Sequence, residues 1–476
     1  MDDAPHESSA VTSLERAQAS ERATSRGFFG HPPGLSILFG TEMWERFSYY
    51  GMRSLLVLYL TQYLLLPGHV EGVWGYAAIK SGFEFFSGPL DIQPLSSLIY
   101  GLYTGLIYMT PLLGGWIADR FLGQKRVVII GIVLMAFGHF MMAFETLLFP
   151  ALLLLVFGGG MFKPNTTSQV GSLYAPGDAR RDSAYSIFYV GINVGAFLSP
   201  LVCGTLGETV GWHYGFAAAG VGMLFALAVY LWGFNSLPED ELTRSVQAHH
   251  RREPLTHEDW RAVWALLILC IPVTLYWACY EQQGNTLALF AADNTDRRIN
   301  LLFFETEIPV TWFQSFNPLM IFAFTPLALA LWTSQRRRGT EPNSIQKMTI
   351  GCIAMAVANL LMAGAVILAG ESGKTDWLWI FAYSAILTWG EIHLSPIGLS
   401  LYSRVSPPQI VSTMIAVSFI PLFLGGGFLQ GWLGTYWSSM AKEDFFLMIA
   451  AISAGAGLII WLFNKPLKPI LKGERS

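Results

Sequence analysis

The sequence predicts an all-α membrane protein with twelve transmembrane helices arranged as two six-helix bundles. Composition is the first observation behind this. Of 476 residues, 53% are hydrophobic and 13% charged, against ~25% charged in soluble domains. Charge placement is the second. Residues 183–207, 209–238, 405–441 and 445–464 contain no Asp, Glu, Lys or Arg, and about 20 apolar residues cross a bilayer as a helix. The third is the pattern inside these blocks, uniformly apolar rather than alternating with period two, which excludes a β-barrel. A soluble multidomain enzyme is excluded with it.

Residues 1–27 are polar and contain arginine without an apolar run, so they read as a disordered cytosolic tail and not a cleaved signal. Spanning segments are then expected at 34–64, 94–119, 126–145, 147–173, 182–206 and 211–234, giving a first bundle over 28–234. The segment 66–93, between the first two, carries Trp74, Tyr76, Phe83, Phe85 and Phe86 and is expected to form an interfacial helix. A polar linker, 235–260, includes Glu239, Asp240, Glu241, His249, His250, Arg251 and Arg252. Its run His257-Glu258-Asp259 reads as a solvated face. The second bundle, 261–464, spans at 261–290, 308–334, 344–369, 376–402, 409–436 and 444–464, and 465–476 form a second cytosolic tail. Breaks are expected at Pro164, Pro318, Pro421 and Gly425–Gly427.

The positively charged residues orient this scheme. With both termini cytoplasmic, the tails and even-to-odd loops hold 21 of the 29 Lys and Arg residues, while the opposite loops hold five: Lys80, Arg297, Arg298, Lys374 and Lys442. The four cysteines, Cys203, Cys270, Cys279 and Cys352, fall in apolar blocks at no ligand spacing and read as packing residues. His139 and His393 read as satisfied packing residues rather than proton carriers.

Seven charges remain at membrane depth: Glu42, Glu45, Glu281 and Glu391, with Arg46, Arg53 and Lys163. Each costs at least ~2.5 kcal/mol at the bilayer centre, so such residues face a cavity and carry function. At about 100° per residue, Glu42, Glu45, Arg46, Tyr49 and Arg53 form one polar stripe on the first helix. Glu42 and Arg46, four apart, can pair. Arg53 has no acid nearby on its own helix. Lys163 follows a triple glycine and precedes Pro164, a kinked layout that presents it to a cavity, with Glu45 as its partner for part of a cycle. Glu391 stands on the tenth helix, the counterpart of the fourth in the other bundle. A pseudo-two-fold axis would set the two helices face to face, with Arg53 and Lys163 opposite Glu391. That arrangement suits a zwitterion. Four acids against three bases leave one carboxylate unpaired where water is scarce, so one of Glu281, Glu42 and Glu45 readily takes up a proton. Tyr108, Tyr189, Asn193 and Asn317 lie at matching depth.

These residues resemble a known family. Glu42-Met-Trp-Glu45-Arg46-Phe-Ser-Tyr-Tyr50-Gly51 resembles the ExxER signature of the proton-dependent oligopeptide transporters, a branch of the major facilitator superfamily. Gly114-Gly-Trp-Ile-Ala-Asp119-Arg-Phe-Leu-Gly123 is similar to that family's loop signature. Tyr185-Ser-Ile-Phe-Tyr-Val-Gly-Ile-Asn193 is similar to its second one. Phe162-Lys163-Pro164-Asn165 and the segment around Glu391 and Ser395 fit as well. The resemblance implies the major facilitator fold and a proton-coupled symporter that imports di- and tripeptides by alternating access. Carried over by position, Arg53 and Lys163 hold the peptide carboxylate with Tyr50, Tyr108 and Tyr189 beside them. Asn193, Asn317 and Glu391 hold the amino end, with Ser395 and Trp277 near the pocket. Glu42, Glu45 and Arg46 form the coupling cluster and Glu281 is a further protonation site. The implied setting is the bacterial inner membrane, as a monomer, with peptides, protons and lipid as its only partners, no nucleic acid and no cofactor.

Two departures bear on mechanism. Animal members carry a histidine on the second helix, seven residues before the tyrosine matching Tyr108, and here that position is Gly101. Coupling therefore rests on the glutamates. Residues 235–260 are also too short for the two extra helices of many bacterial members, and the loop near 370–376 has no room for an extracellular domain. Transport of another small anion such as nitrate is the competing reading, disfavoured by Glu391. A nutrient sensor would bring a cytosolic effector domain. A membrane enzyme would need a nucleophile–base constellation or metal site at membrane depth, and neither is present.

Overall fold

The computed structural model describes residues 28–175, 178–240, 255–301, 304–370 and 373–472. The proposed tail 1–27 and most of the charged linker, 241–254, lie outside them. Twelve principal helices follow one another: α1 Pro33–Tyr59, α2 Ile92–Met109, α3 Gln124–Met141, α4 Leu148–Ser172, α5 Arg180–Ser199 and α6 Trp212–Trp232, then α7 His257–Tyr280, α8 Phe316–Arg337, α9 Ser344–Ala369, α10 Trp377–Val405, α11 Val411–Val417 and α12 Lys442–Lys472. Among the described residues, nine helical segments are long and apolar enough to cross a membrane. The principal helices outside that set are α1, α2 and α10. Four charges dilute α1, and Gln, Ser, Thr and Tyr dilute α2.

Helix packing sorts into two groups. In the first, α1 packs on α5 and α6, and α3 on α4 and α6. In the second, α9 packs on α10 and α12, α7 on α12, and α8 on α10. The core of each is Leu, Met, Phe and small residues, with Met52, Leu55, Phe162 and Phe216 fully buried in the first and Tyr276, Phe290, Met355 and Tyr383 in the second. The two groups meet mainly at the end that carries the 294–309 segment. There α2 lies along the second part of the eleventh span, and Pro200–Gly204 lies against Val310–Ser315. Glycines set the first of these contacts: a Cβ on Gly101 would stand 2.7 Å from the carbonyl oxygen of Gly427. A histidine at this position would have no room.

Of the helix breaks expected at proline and glycine, those at Pro421 and Gly425–Gly427 form, and those at Pro164 and Pro318 do not. The eleventh span breaks after Val417, resumes as Ile420–Phe423 behind Pro421, and widens into a π turn over Leu424–Leu429 that holds Gly425–Gly427. Pro164 leaves α4 continuous, removing only the hydrogen bond to the carbonyl four residues back. Pro318 is a correction. It sits in the first turn of α8, where its missing N–H has no intrahelical partner to lose, and the in-helix proline is Pro326. A break that was not expected lies after Tyr280, where α7 becomes the tight turn Glu281–Gly284 and resumes as Thr286–Asp293.

Termini and loops differ from expectation at several points. α7 begins at His257, inside the stretch read as linker, because Thr256 and Asp259 form a reciprocal capping box. Asp259 is therefore a buried cap rather than a solvated face. α12 runs on to Lys472. The surface helix Tyr76–Ser87 forms within 66–93, packing Ile79 and Phe83 inward and leaving Trp74, Phe85 and Phe86 exposed. Strand β1, Thr295–Asp296, pairs in parallel with β4, Thr375–Asp376, while β2, Arg298–Leu301, and β3, Phe304–Glu307, form an antiparallel pair. Of the two histidines, His393 is satisfied through Nδ1 by the Trp389 carbonyl at 2.8 Å. His139 is not: its Nδ1 is buried without a partner among the described residues.

Candidate functional site

The polar stripe of α1 is buried as a unit, with Glu42, Glu45 and Arg46 all nearly inaccessible. Arg46 sits between the two acids. Its Nε lies 3.2 Å from Glu42 Oε1, and its Nη2 donates to Glu45 Oε1 at 2.8 Å. A buried guanidinium with two carboxylates is satisfied only as a cluster, and Thr166 on α4 completes it by donating to Glu42 Oε2 at 3.2 Å. Glu45 is thereby held by its neighbour in sequence. Lys163 has no carboxylate partner among the described residues and lies 5.2 Å from the centre of the Tyr108 ring. The pairing of Lys163 with Glu45 is not present, because the planar fork of Arg46 already occupies that carboxylate.

Arg53 has an acid after all. About two turns beyond Arg46, its Nη2 pairs with Glu281, and its Nε donates to the Tyr100 hydroxyl at 2.7 Å. Glu281 ends α7 and opens the tight turn, so the break in that helix is what aims its carboxylate at α1. Gly284 belongs to this construction: a Cβ there would overlap the Tyr100 hydroxyl and crowd the Arg53 guanidinium. Tyr108 and Lys163 face the same carboxylate. The pair joins the first helix group to the second.

Glu391 lies on α10 behind a different set of partners. Asn317, in the first turn of α8, donates from Nδ2 to Glu391 Oε2 at 2.8 Å and reaches Thr388 Oγ1 at 3.0 Å. Tyr280 faces the same carboxylate, and Trp277 meets the Tyr280 ring edge-on at 5.2 Å. Ser395 stands one turn further along α10 and is half-buried. On α5, Asn193 donates back to the Tyr189 carbonyl at 3.0 Å. Tyr189 is half-exposed and faces both Glu391 and Tyr50. Tyr50 packs edge-on against Tyr49.

The expected residues thus assemble as three centres. Glu42, Glu45 and Arg46 form a closed cluster. Arg53, Glu281 and Tyr108 form a second with Lys163 beside it, and Glu391 and Asn317 a third. Sequence reasoning missed Tyr100, Thr166, Thr388 and Tyr280. A signal for the first was there, since Tyr100 and Tyr108 are about two helical turns apart on α2 and share a face. The others are ordinary residues whose role depends on the partner. Nothing in this arrangement is nucleophilic or metal-binding: among the described residues no group of three His, Cys, Asp or Glu side chains is placed to hold a metal. What the centres offer is fixed charge of both signs in water-poor surroundings, and exchangeable ion pairs.

Comparison with known proteins bears on what that is for. The family model described as the POT family matches residues 125–252 and 237–444. A di-/tripeptide transporter of Lactococcus lactis subsp. cremoris is 29% identical, covering 95% of this chain and 99% of that protein. A peptide transporter of Yersinia enterocolitica is 31% identical over 84% of this chain and 87% of its own length. Among solved structures, a mutant of a peptide transporter POT in complex with alafosfalin superposes with a TM-score of 0.80 at 29% identity, covering 95% of this chain and 98% of that one.

Proposed function

Because this chain belongs to the POT family of multi-pass membrane transporters, and is not an enzyme, we propose that it imports di- and tripeptides together with protons by alternating access. The observation that carries this reading is the buried ion pair between Arg53 and Glu281, which ties one helix group to the other. Such a pair is costly to bury, and it is a natural switch. Protonating Glu281 removes its charge and frees Arg53 to receive an anionic ligand group. Lys163, which has no carboxylate partner among the described residues, is the second cation for a peptide carboxylate. Glu391, with Asn317 to orient it, takes the ammonium end. Tyr50, Tyr108, Tyr189, Asn193, Trp277 and Ser395 line the space between. Glu42, Glu45 and Arg46 act as the coupling cluster on α1.

The domain division follows the same reading: 28–234 and 261–464 are the two bundles that rock, joined by 235–260. Both termini lie in the cytoplasm of a bacterial cell, on the side where Lys and Arg are concentrated. The contacts between bundles gather at the opposite end, so this state is open inward. The surface helix Tyr76–Ser87 lies in the outer membrane interface with Phe85 and Phe86 toward lipid. The protein works as a monomer.

A ligand contact at each end predicts selectivity that a pure anion site lacks. Binding of a labelled dipeptide to the purified protein should be competed by unlabelled di- and tripeptides, and hardly at all by nitrate or by N-acetylated peptides. Equal competition by nitrate would replace the peptide reading with an anion reading.

A further inference from the structure

The start of α8 is fastened by a residue that the charged core does not use. Glu208 lies in the short helix Thr205–Thr209, which continues α5 through the π turn Pro200–Gly204. Its carboxylate accepts three hydrogen bonds from the other helix group. The backbone N–H of Val310 donates to Oε2 at 2.7 Å, that of Thr311 donates to Oε1 at 2.8 Å, and the Thr311 hydroxyl donates to Oε1 at 2.6 Å. Val310 and Thr311 open the 3-10 turn Val310–Ser315 that leads into α8. N–H groups at a helix start have no intrahelical acceptor, and that end favours negative charge. A carboxylate from one bundle therefore supplies what the first turn of the other lacks.

The surroundings are built for this contact. Trp312 donates from Nε1 to Thr205 Oγ1 at 2.7 Å, and Ser315 donates to the Phe197 carbonyl at 2.8 Å. Thr311 is fully buried. A Cβ at Gly204 would overlap the Thr311 hydroxyl, so only glycine lets the two backbones come this close. All of these bonds run between the two helix groups, at the end where they meet.

We propose that Glu208 is a further residue of the transport cycle, a carboxylate latch that must release the start of α8 each time this end opens. The proposal rests on the alternating-access reading, since a molecule that never opened here would keep the latch made. Acid is the required chemistry: glutamine retains an acceptor for Thr311 but turns an amide donor toward the Val310 N–H. Loss of the carboxylate leaves the Val310 and Thr311 N–H groups without this acceptor only in the closed state, while the Thr311 hydroxyl keeps the Pro200 carbonyl at 3.4 Å, so it shifts the balance toward the open one.

The test uses the full chain in proteoliposomes. Ser54, fully buried on α1 beneath the latch and beside Gln314, is changed to cysteine and reacted with a membrane-impermeant maleimide, subtracting the label taken up without that cysteine. Glu208→Gln and Glu208→Ala should each raise the labelling rate at least tenfold. Both should also lower the KM for external dipeptide, because the outward-competent state is more populated. Adding Thr311→Ala to Glu208→Ala should give no further increase. Unchanged labelling in both variants would overturn the proposal. So would a loss of thermal stability with Vmax falling and KM unmoved, which marks a static cap. Absence of dipeptide uptake by the unsubstituted chain would remove the transport reading instead, whatever the labelling shows.

Discussion

Replacing Glu281 by glutamine isolates the proton from every other property of the site. The substitution keeps the shape of the side chain and an oxygen able to accept from Arg53, but fixes the position as neutral. In the structure, Arg53 is held on one side by Glu281 and on the other by Tyr100 at 2.7 Å, so the guanidinium keeps its place when the charge is lost. A hydrogen bond to a charged partner contributes about 1.5–3 kcal/mol where a neutral one gives about 1. The difference released is therefore about 0.5–2 kcal/mol, or roughly twofold to thirtyfold in an equilibrium constant at about 1.4 kcal/mol per decade. That free energy becomes available to a peptide carboxylate. The variant should bind dipeptide as tightly as the parent or up to roughly thirtyfold more tightly, and should exchange labelled for unlabelled peptide across the membrane. It should fail to accumulate peptide when an inward proton gradient is imposed. The assay is counterflow and gradient-driven uptake measured on the same proteoliposomes. Accumulation at the parental level by Glu281→Gln would refute the assignment of coupling to this carboxylate.

Other outcomes follow from the remaining centres. Lys163→Ala should reduce gradient-driven uptake at least tenfold while leaving the thermal melting temperature within a few degrees, because Lys163 has no carboxylate partner among the described residues to lose; full uptake would remove it from the site. Glu391→Gln should weaken binding of a dipeptide by about tenfold, consistent with about 1.4 kcal/mol for one charged contact. An N-acetylated dipeptide should bind the parent and this variant equally, and titration calorimetry separates the two ligands. Between α8 and α9, hydrogen bonds from Arg336 and then Lys347 lower the Glu341 carboxyl from 4.5 to about 2. A lowered carboxyl contributes stability above its unfolded value that is lost as pH falls through the folded one. The melting temperature in detergent should therefore decline between about pH 4.5 and pH 2, and Glu341→Gln should flatten that part of the curve.

Much of the fold was legible because hydropathy acts locally. A block without charge that is long enough to cross a bilayer has few alternatives, and the principal helices lie on the expected segments. Breaks that depend on proline or a glycine run, such as Pro421 and Gly425–Gly427, were legible for the same reason. The break at Glu281–Gly284 was not, since Glu-Gln-Gln-Gly carries no proline and its bend is justified only by where it puts the carboxylate. The site divides along the same line. The stripe of Glu42, Glu45 and Arg46 is one helix face and follows from helical geometry alone. The partner of Arg53 lies 228 positions away, on a helix whose approach no local pattern encodes. Lys163 does not meet Glu45 in this state, because the adjacent Arg46 holds that carboxylate, and side-chain reach, which sequence spacing does not show, decides between them. Glu208 carries no local signal in the sequence, because its three donors belong to another span.

Transport itself remains the most direct test of the central claim. A labelled dipeptide is supplied to proteoliposomes holding the purified chain, with the interior alkaline to the bath or with the gradient collapsed by an ionophore. The account predicts accumulation above the external concentration while the gradient stands, and no more than equilibration once it is collapsed. Accumulation indifferent to the ionophore would contradict proton coupling, and entry no faster than into protein-free vesicles would contradict peptide transport altogether.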